Sequence, residues 1–173
     1  MPAAAIAKGF SRLTLDPANH LLYALSNSDP PKRADLWVLR AEDLSVYDTH
    51  PIPVNYSESR IAIDRLGELA FIGSMGWGAD LPAGVLKYER RTRTLTQFAG
   101  WNDFIPYHNV VQDLVITPDG RTLVVLTPAF DPNFPGPPHA GPILFVQIHS
   151  KQVLAQYTYN GGQGRALRIA PRI

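Results

Sequence analysis

The stretch WNDFIPYHN at 101–109 gathers Trp101, Asn102, Asp103, Tyr107, His108 and Asn109. Two other polar segments add to it. SMGWGADLPAG at 74–84 carries Trp77 and Asp80, and TPAFDPNFPGPPHAGP at 127–142 carries Asp131, Asn133 and His139. Gln163 follows in NGGQGR at 160–165. Tryptophan and tyrosine offer flat area with a hydrogen-bonding edge, which suits sugars or rings. An aspartate near a histidine can serve as an acid–base pair or hold a cation. The candidate ligand-binding residues are therefore Trp77, Asp80, Asp103, Tyr107, His108, Asn109, Asp131, His139 and Gln163. No residue is assigned a catalytic role.

Plainer readings stand beside these. His108 sits just before an apolar strand, where a histidine often hydrogen-bonds a neighbouring turn. Asp113 suits a cap on a strand start. Trp101 can pack under the 128–141 loop, and His139 lies in a stiff Pro/Gly-rich segment. Trp37 and Tyr23 fall inside apolar strands and are expected to pack between sheets. Arg90, Arg91 and Arg93 crowd one short turn and read as a solvated hairpin rather than a phosphate site. No HExxH-like or DxD-like metal spacing, no Gly-x-Ser-x-Gly elbow and no phosphate-cradling glycine loop occurs. No cofactor or metal is implied. The absence of cysteine excludes disulfides, thiolate nucleophiles and Cys-ligated zinc. A net charge of +1 gives no basic field for nucleic acid. No apolar run approaches the roughly 20 residues of a membrane helix. The start MPAAAIAKGF has no charged region ahead of an apolar stretch, so no signal peptide is expected. The compartment stays open.

The elements that must position these residues come from a repeat. Leu13–Leu25 (LTLDPANHLLYAL), Ile61–Gly73 (IAIDRLGELAFIG) and Leu114–Leu126 (LVITPDGRTLVVL) align without a gap. Each reads as an apolar strand, a polar turn and a second apolar strand. Asn19, Gly67 and Gly120 share one turn column, which calls for a residue able to take positive φ. A fourth copy begins at Ala166–Pro171. Two further strands follow each hairpin: Leu36–Arg40 and Leu44–Thr49, Val85–Glu89 and Leu95–Ala99, Ile143–Ile148 and Val153–Tyr159. With 16 prolines, 13 glycines and no convincing helical period, the chain reads as all-β. Four-stranded antiparallel meanders repeating at roughly 50 residues are propeller blades. Runs such as LLYAL and LVVL are apolar on both faces, as a blade packed between two others requires.

The expected domain is a single partial β-propeller over 1–173, an incomplete ring. Blade 1 spans about 10–50, blade 2 about 58–100, blade 3 about 111–159, and a fourth begins at about 165–173. Three blades do not close a ring, since propellers have about 4–8. Missing blades or self-association would complete it. Loops between second and third strands (26–35, 74–84, 127–142) and the crossings between blades (50–59, 100–112, 160–165) share one face. They are long, whereas the opposite turns are minimal. Loops of this length usually carry function.

The ITPDGRTLVV core at 116–125, with the degenerate LDPANHLLYAL at 15–25, resembles the YVTN-type blade of lactonase-like and surface-layer-like seven-bladed propellers. The resemblance covers the chain as repeats and implies a blade. It carries no catalytic motif over. The expected function is a WD40-like binding module for a protein or small polar ligand, with no nucleic-acid or membrane role. The alternative is a lactonase-like hydrolase working at the central funnel, with His108 and Asp103 as its candidates.

Overall fold

The structure, a computed structural model, describes residues 9–27, 33–53, 60–74, 84–99, 111–129 and 139–158. Among them only strands and turns occur. Strands β1 (Phe10–Asp16), β2 (Leu21–Asn27), β3 (Arg33–Arg40) and β4 (Val46–Pro53) form the first sheet. Strands β5 (Ile61–Ile63), β6 (Leu69–Gly73), β7 (Val85–Glu89) and β8 (Thr94–Ala99) form the second. Strands β9 (Asp113–Ile116), β10 (Thr122–Ala129), β11 (His139–Gln147) and β12 (Val153–Thr158) form the third. Each sheet is an antiparallel meander in chain order, as the repeat predicts. The innermost strands meet in sequence, β1 against β5 and β5 against β9. The ring is not closed, and the expected start of a fourth blade lies outside the described residues.

Side-chain alternation explains the stacking. In blade 2, Ile61, Ala70, Ile72 and Tyr88 pack with Tyr23, Leu25, Leu36, Val38 and Ile52 of blade 1. Their strand neighbours Ala62, Phe71, Val85 and Phe98 pack with Val111, Leu114, Leu123, Val125 and Leu144 of blade 3. Consecutive residues point to opposite faces of a strand, so a strand apolar at every position is dry only between two other sheets.

Recurrent bonds fix the turns. Ala41 N donates to His20 O at 2.8 Å, Arg90 N to Glu68 O at 2.9 Å and Ile148 N to Arg121 O at 2.9 Å, the same joint in three blades. Side-chain oxygens of Asp16, Asp64 and Thr117, one repeat column, accept backbone N–H groups of Ala18, Leu69 and Thr122 at 3.0, 2.9 and 3.1 Å. The turn column holds for Gly67 (φ 65°) and Gly120 (φ 71°), but in blade 1 the left-handed residue is His20 (φ 53°) and not Asn19. Asn19 is occupied otherwise: its Nδ2 donates to Asp16 Oδ2 and to Leu66 O, both at 2.9 Å. A second left-handed column, Leu44, Arg93 and Lys151, recurs in the outer hairpins with no glycine to mark it.

Three expectations change. Tyr23 packs between blades 1 and 2, but Trp37 lies opposite Ala24, on the other face of blade 1. There it is half-buried and donates Nε1–H to Ser26 Oγ at 3.1 Å. Strand β4 runs through Pro51 and Pro53, which were read as part of a crossing. It is an edge strand of its sheet, where proline's missing N–H breaks no ladder. Strands β10 and β11 extend into the Pro-rich loop past a register shift between Leu126 and Pro128, so Pro128 sits at an irregularity that tolerates it.

Gly73 tests the blade 2–blade 3 packing. Strand propensity alone would make alanine there stabilising by about 0.5–1 kcal/mol. Its Cβ, however, would lie 2.4 Å from Val111 Cγ1 and 2.7 Å from Leu114 Cδ2. Overpacking of this kind costs about 1–3 kcal/mol. Gly73→Ala is therefore expected to lower the urea unfolding midpoint; a raised midpoint would mean the two blades do not approach this closely.

Candidate functional site

The long-loop rim is built on anchored roots. Ser74 N donates to Gly84 O at 2.8 Å, Val111 N to Ser74 O at 2.6 Å and Gln112 N to Leu126 O at 2.8 Å. These bonds fix the described residues that flank 75–83 and follow 100–110 at one rim. One repeat column at the far end of the second strands holds a fully buried hydroxyl residue in each blade: Ser26 within β2, Ser74 just after β6 and Thr127 within β10, all 0 % exposed. Ser26 receives the Trp37 indole N–H, and Thr127 donates to Pro142 O at 3.1 Å. The aligned repeat extended by one residue would have shown this column. Asp113 is buried at the start of β9, accepts Leu114 N at 2.9 Å and has Arg60 Nε at 3.8 Å, in keeping with a strand cap.

Of the residues singled out from sequence, Trp77, Asp80, Asp103, Tyr107, His108, Asn109, Asp131 and Gln163 lie outside the described residues, as do Trp101, Asn102 and Asn133. His139 alone is placed: it opens β11 opposite Ala129, a strand position rather than the loop position expected. Proline-rich flanks hid the strand because its pairing partner is the irregular end of β10. Among the described residues no group of three or more His, Asp or Glu stands close enough to hold a metal ion.

The opposite rim holds a cleft that sequence reading missed. A cavity of about 280 Å³ lies between blades 1 and 2, lined by Asn19, His20, Leu21, Arg40, Glu42, Tyr47 and Arg90. Tyr47 anchors the cations. The Arg93 guanidinium, from blade 2, stands 4.3 Å over its ring, and that of Arg40 stands at 5.7 Å. A guanidinium over an aromatic face is held electrostatically while its N–H groups stay available. Arg40 also donates to Ser45 Oγ at 3.1 Å, and Arg90 Nε donates to Gly67 O at 2.9 Å. The arginine hairpin is thus partly structural, with Arg91 exposed.

A polar latch closes the same blade junction. The Tyr88 hydroxyl donates to Asp48 Oδ2 at 2.8 Å, and His50 Nε2 lies 3.0 Å from the same oxygen. The rings of His50 and Tyr23 meet that of Tyr88 edge-on at 5.4 and 5.9 Å. Burial, then the Asp48 hydrogen bond and charge, push the Tyr88 phenol well above its ordinary value. Burial works to raise the Asp48 carboxyl, but hydrogen bonds from Tyr88 and His50 outweigh it and hold the group below the usual range.

No family model matches the chain and no curated protein aligns with it. Solved structures do. The WD40 repeats of RRP9 superpose with a TM-score of 0.57 at 11 % identity, over 88 % of this chain and 39 % of that one. The β-propeller domain of Cps50 (Swd1) from Myceliophteria thermophila gives 0.61 at 8 %, over 96 % and 49 %. The hydrazine synthase of Kuenenia stuttgartiensis gives 0.60 at 15 %, over 92 % and 38 %. At these identities the likeness is one of fold, and the fold is that of a β-propeller. The chain spans less than half the length of these structures.

The latch has a pH signature. A depressed carboxyl contributes stability that is present above its unfolded value, 3.8 for Asp48, and is lost as pH falls through the folded value. Asp48→Asn is expected to flatten the acid limb of a melting-temperature profile between pH 7 and pH 2 relative to the wild type. Tyr88→Phe is expected to lower stability at neutral pH by roughly 1 kcal/mol, because it takes one donor from a half-buried carboxylate that keeps His50 and Thr49 N. Superimposable acid limbs for wild type and Asp48→Asn would remove the latch.

Proposed function

We propose that this chain is the three-blade portion of a larger β-propeller and acts as an interaction module, engaging a protein or small polar ligand on its long-loop rim. The carrying observation is that the described roots of the long segments converge on one rim, held by the Ser74–Gly84 and Gln112–Leu126 bonds within blades 2 and 3 and by the Val111–Ser74 bond between them. The other rim has only short turns. Binding loops on a rigid scaffold are the usual way such a fold is used, and Trp77 and Tyr107 are its amphipathic anchors. The YVTN-type resemblance of 116–125 belongs to the same reading.

The need for further blades is supported by the outer flanks. Leu13 and Leu15 are 58 % and 56 % exposed on the face of blade 1 turned from blade 2. Tyr157, 61 % exposed, stacks edge-on to Phe145 at 5.6 Å on the outer face of blade 3. In a ring, neighbouring blades would cover both flanks, whether supplied by more chain or by a second copy. No observation on the described residues favours a lactonase-like hydrolase.

The test is capture by cross-linking of the tagged protein in extracts of its own cells, together with a thermal-shift screen of carbohydrates and small polar metabolites. Trp77→Ala/Tyr107→Ala is expected to abolish the signal while keeping the wild-type melting temperature. Undiminished capture or thermal shift in that double variant would refute the long-loop assignment.

A further inference from the structure

The short-turn cleft has a chemistry of its own, at the opposite rim from the proposed partner face. Arg40 and His20 reach it from blade 1 and Arg90 from blade 2, with Arg93 standing beside it over Tyr47. Among the described residues, no ion pair uses Arg40, Arg90 or Arg93. The nearby acids are hydrogen-bonded to their own turns, although Asp43 also acts on Arg40 through space. Asp16 accepts Ala18 N and Asn19 Nδ2, Asp64 accepts Leu69 N, and Asp43 accepts Ser45 N. Glu42 is the one carboxylate among the lining residues. Arg40 and Arg90 line the cleft against that single lining carboxylate, with Arg93 over Tyr47 beside it, so positive charge is in excess there.

We propose that this cleft binds a phosphate monoester. Guanidinium forks address phosphate oxygens bidentately. Arg40 and Arg90 from separate blades line the cleft and Arg93 adds charge beside it, which suits the three terminal oxygens of a monoester better than the two of a carboxylate. At about 280 Å³ the cavity is small for a drug-sized ligand but large enough for a phosphoryl group with a few attached atoms. Glu42, an acceptor at the same cleft, suits a hydroxyl on the carbon adjacent to the phosphate-bearing one. The phosphoryl group can belong to a free metabolite or to a phosphorylated side chain.

The experiment is calorimetric titration of the full chain with glycerol 3-phosphate, with a short phosphoserine peptide and with acetate, at equal ionic strength. Arginine Nε–H resonances are followed by NMR in parallel. Saturable binding of at least one ester is expected, with Arg40, Arg90 and Arg93 resonances moving and acetate inert; the tighter ester identifies the source. Arg40→Gln/Arg93→Gln is expected to weaken binding roughly tenfold or more, while Arg91→Gln leaves it unchanged. Arg90 is kept because it holds Gly67 O. If the glutamine pair melts early, Arg40→Lys/Arg93→Lys, which keeps the charge and loses the fork, must still weaken ester binding. Absent saturation, equal binding of acetate, or full affinity in the double variants would overturn the proposal. None of these outcomes bears on the long-loop rim.

Discussion

The middle sheet has apolar side chains on both faces, and everything else follows from the need to cover both. Ile72 and Tyr88 look to one neighbour, Phe71 and Val85 to the other. Each buried aromatic or aliphatic side chain contributes about 1.5–3 kcal/mol, so the sheet is stable only as the centre of a stack. The close fit is visible at its two glycines. A Cβ at Gly67 would lie 2.1 Å from Asn19 Nδ2, and one at Gly73 2.4 Å from Val111. Blade 2 is thus held near blade 1 at one rim and near blade 3 at the other.

The two junctions differ in chemistry. Blades 2 and 3 meet through Phe71, Phe98, Leu114 and Val125, with Lys151 over the Phe98 ring at 5.5 Å. Blades 1 and 2 share an apolar core as well and add to it tyrosines, an aspartate and arginines. The Tyr23 hydroxyl is buried there with no hydrogen-bond partner among the described residues, and burial first, then Asp16, pushes its phenol up. The blade 2–blade 3 junction is oriented at its rim by the Val111–Ser74 backbone bond and the Arg60–Asp113 contact. The blade 1–blade 2 junction is oriented by its latch, because Tyr88 reaches Asp48 in only one placement of the two sheets. That also gathers Arg40, Tyr47 and Arg93, since the latch and the cleft share strand β4.

The rims divide the work of the fold. At one, short hairpins close with the same backbone bond in three blades, leaving little freedom and bringing charged turn residues into fixed proximity. At the other, a column of buried hydroxyl residues lies near the far end of each second strand, where the long segments leave the described sheets. A rigid rim that concentrates charge and a rim of long loops are different kinds of surface, and one chain supports both without conflict.

The repeat, the meander and the double-faced burial were legible in sequence because they are local: period-two alternation and a turn column at Gly67 and Gly120 can be read one residue after another. Local signals also carried Asp113 as a cap and Tyr23 as core. Other features were decided only when sheets came together. Asn19 matched the turn column by type, yet its amide is drawn to Leu66 O of the next blade and His20 takes the left-handed turn instead. Trp37 looked like any strand aromatic, and which face it occupies depends on pairing opposite Ala24. Arg93 is exposed, as a solvated hairpin requires, but the Tyr47 ring beneath it belongs to another blade. Residues on neighbouring blades are separated along the chain by most of a repeat. Their mutual height and tilt are set by how two sheets pack, and no pattern within one strand encodes that.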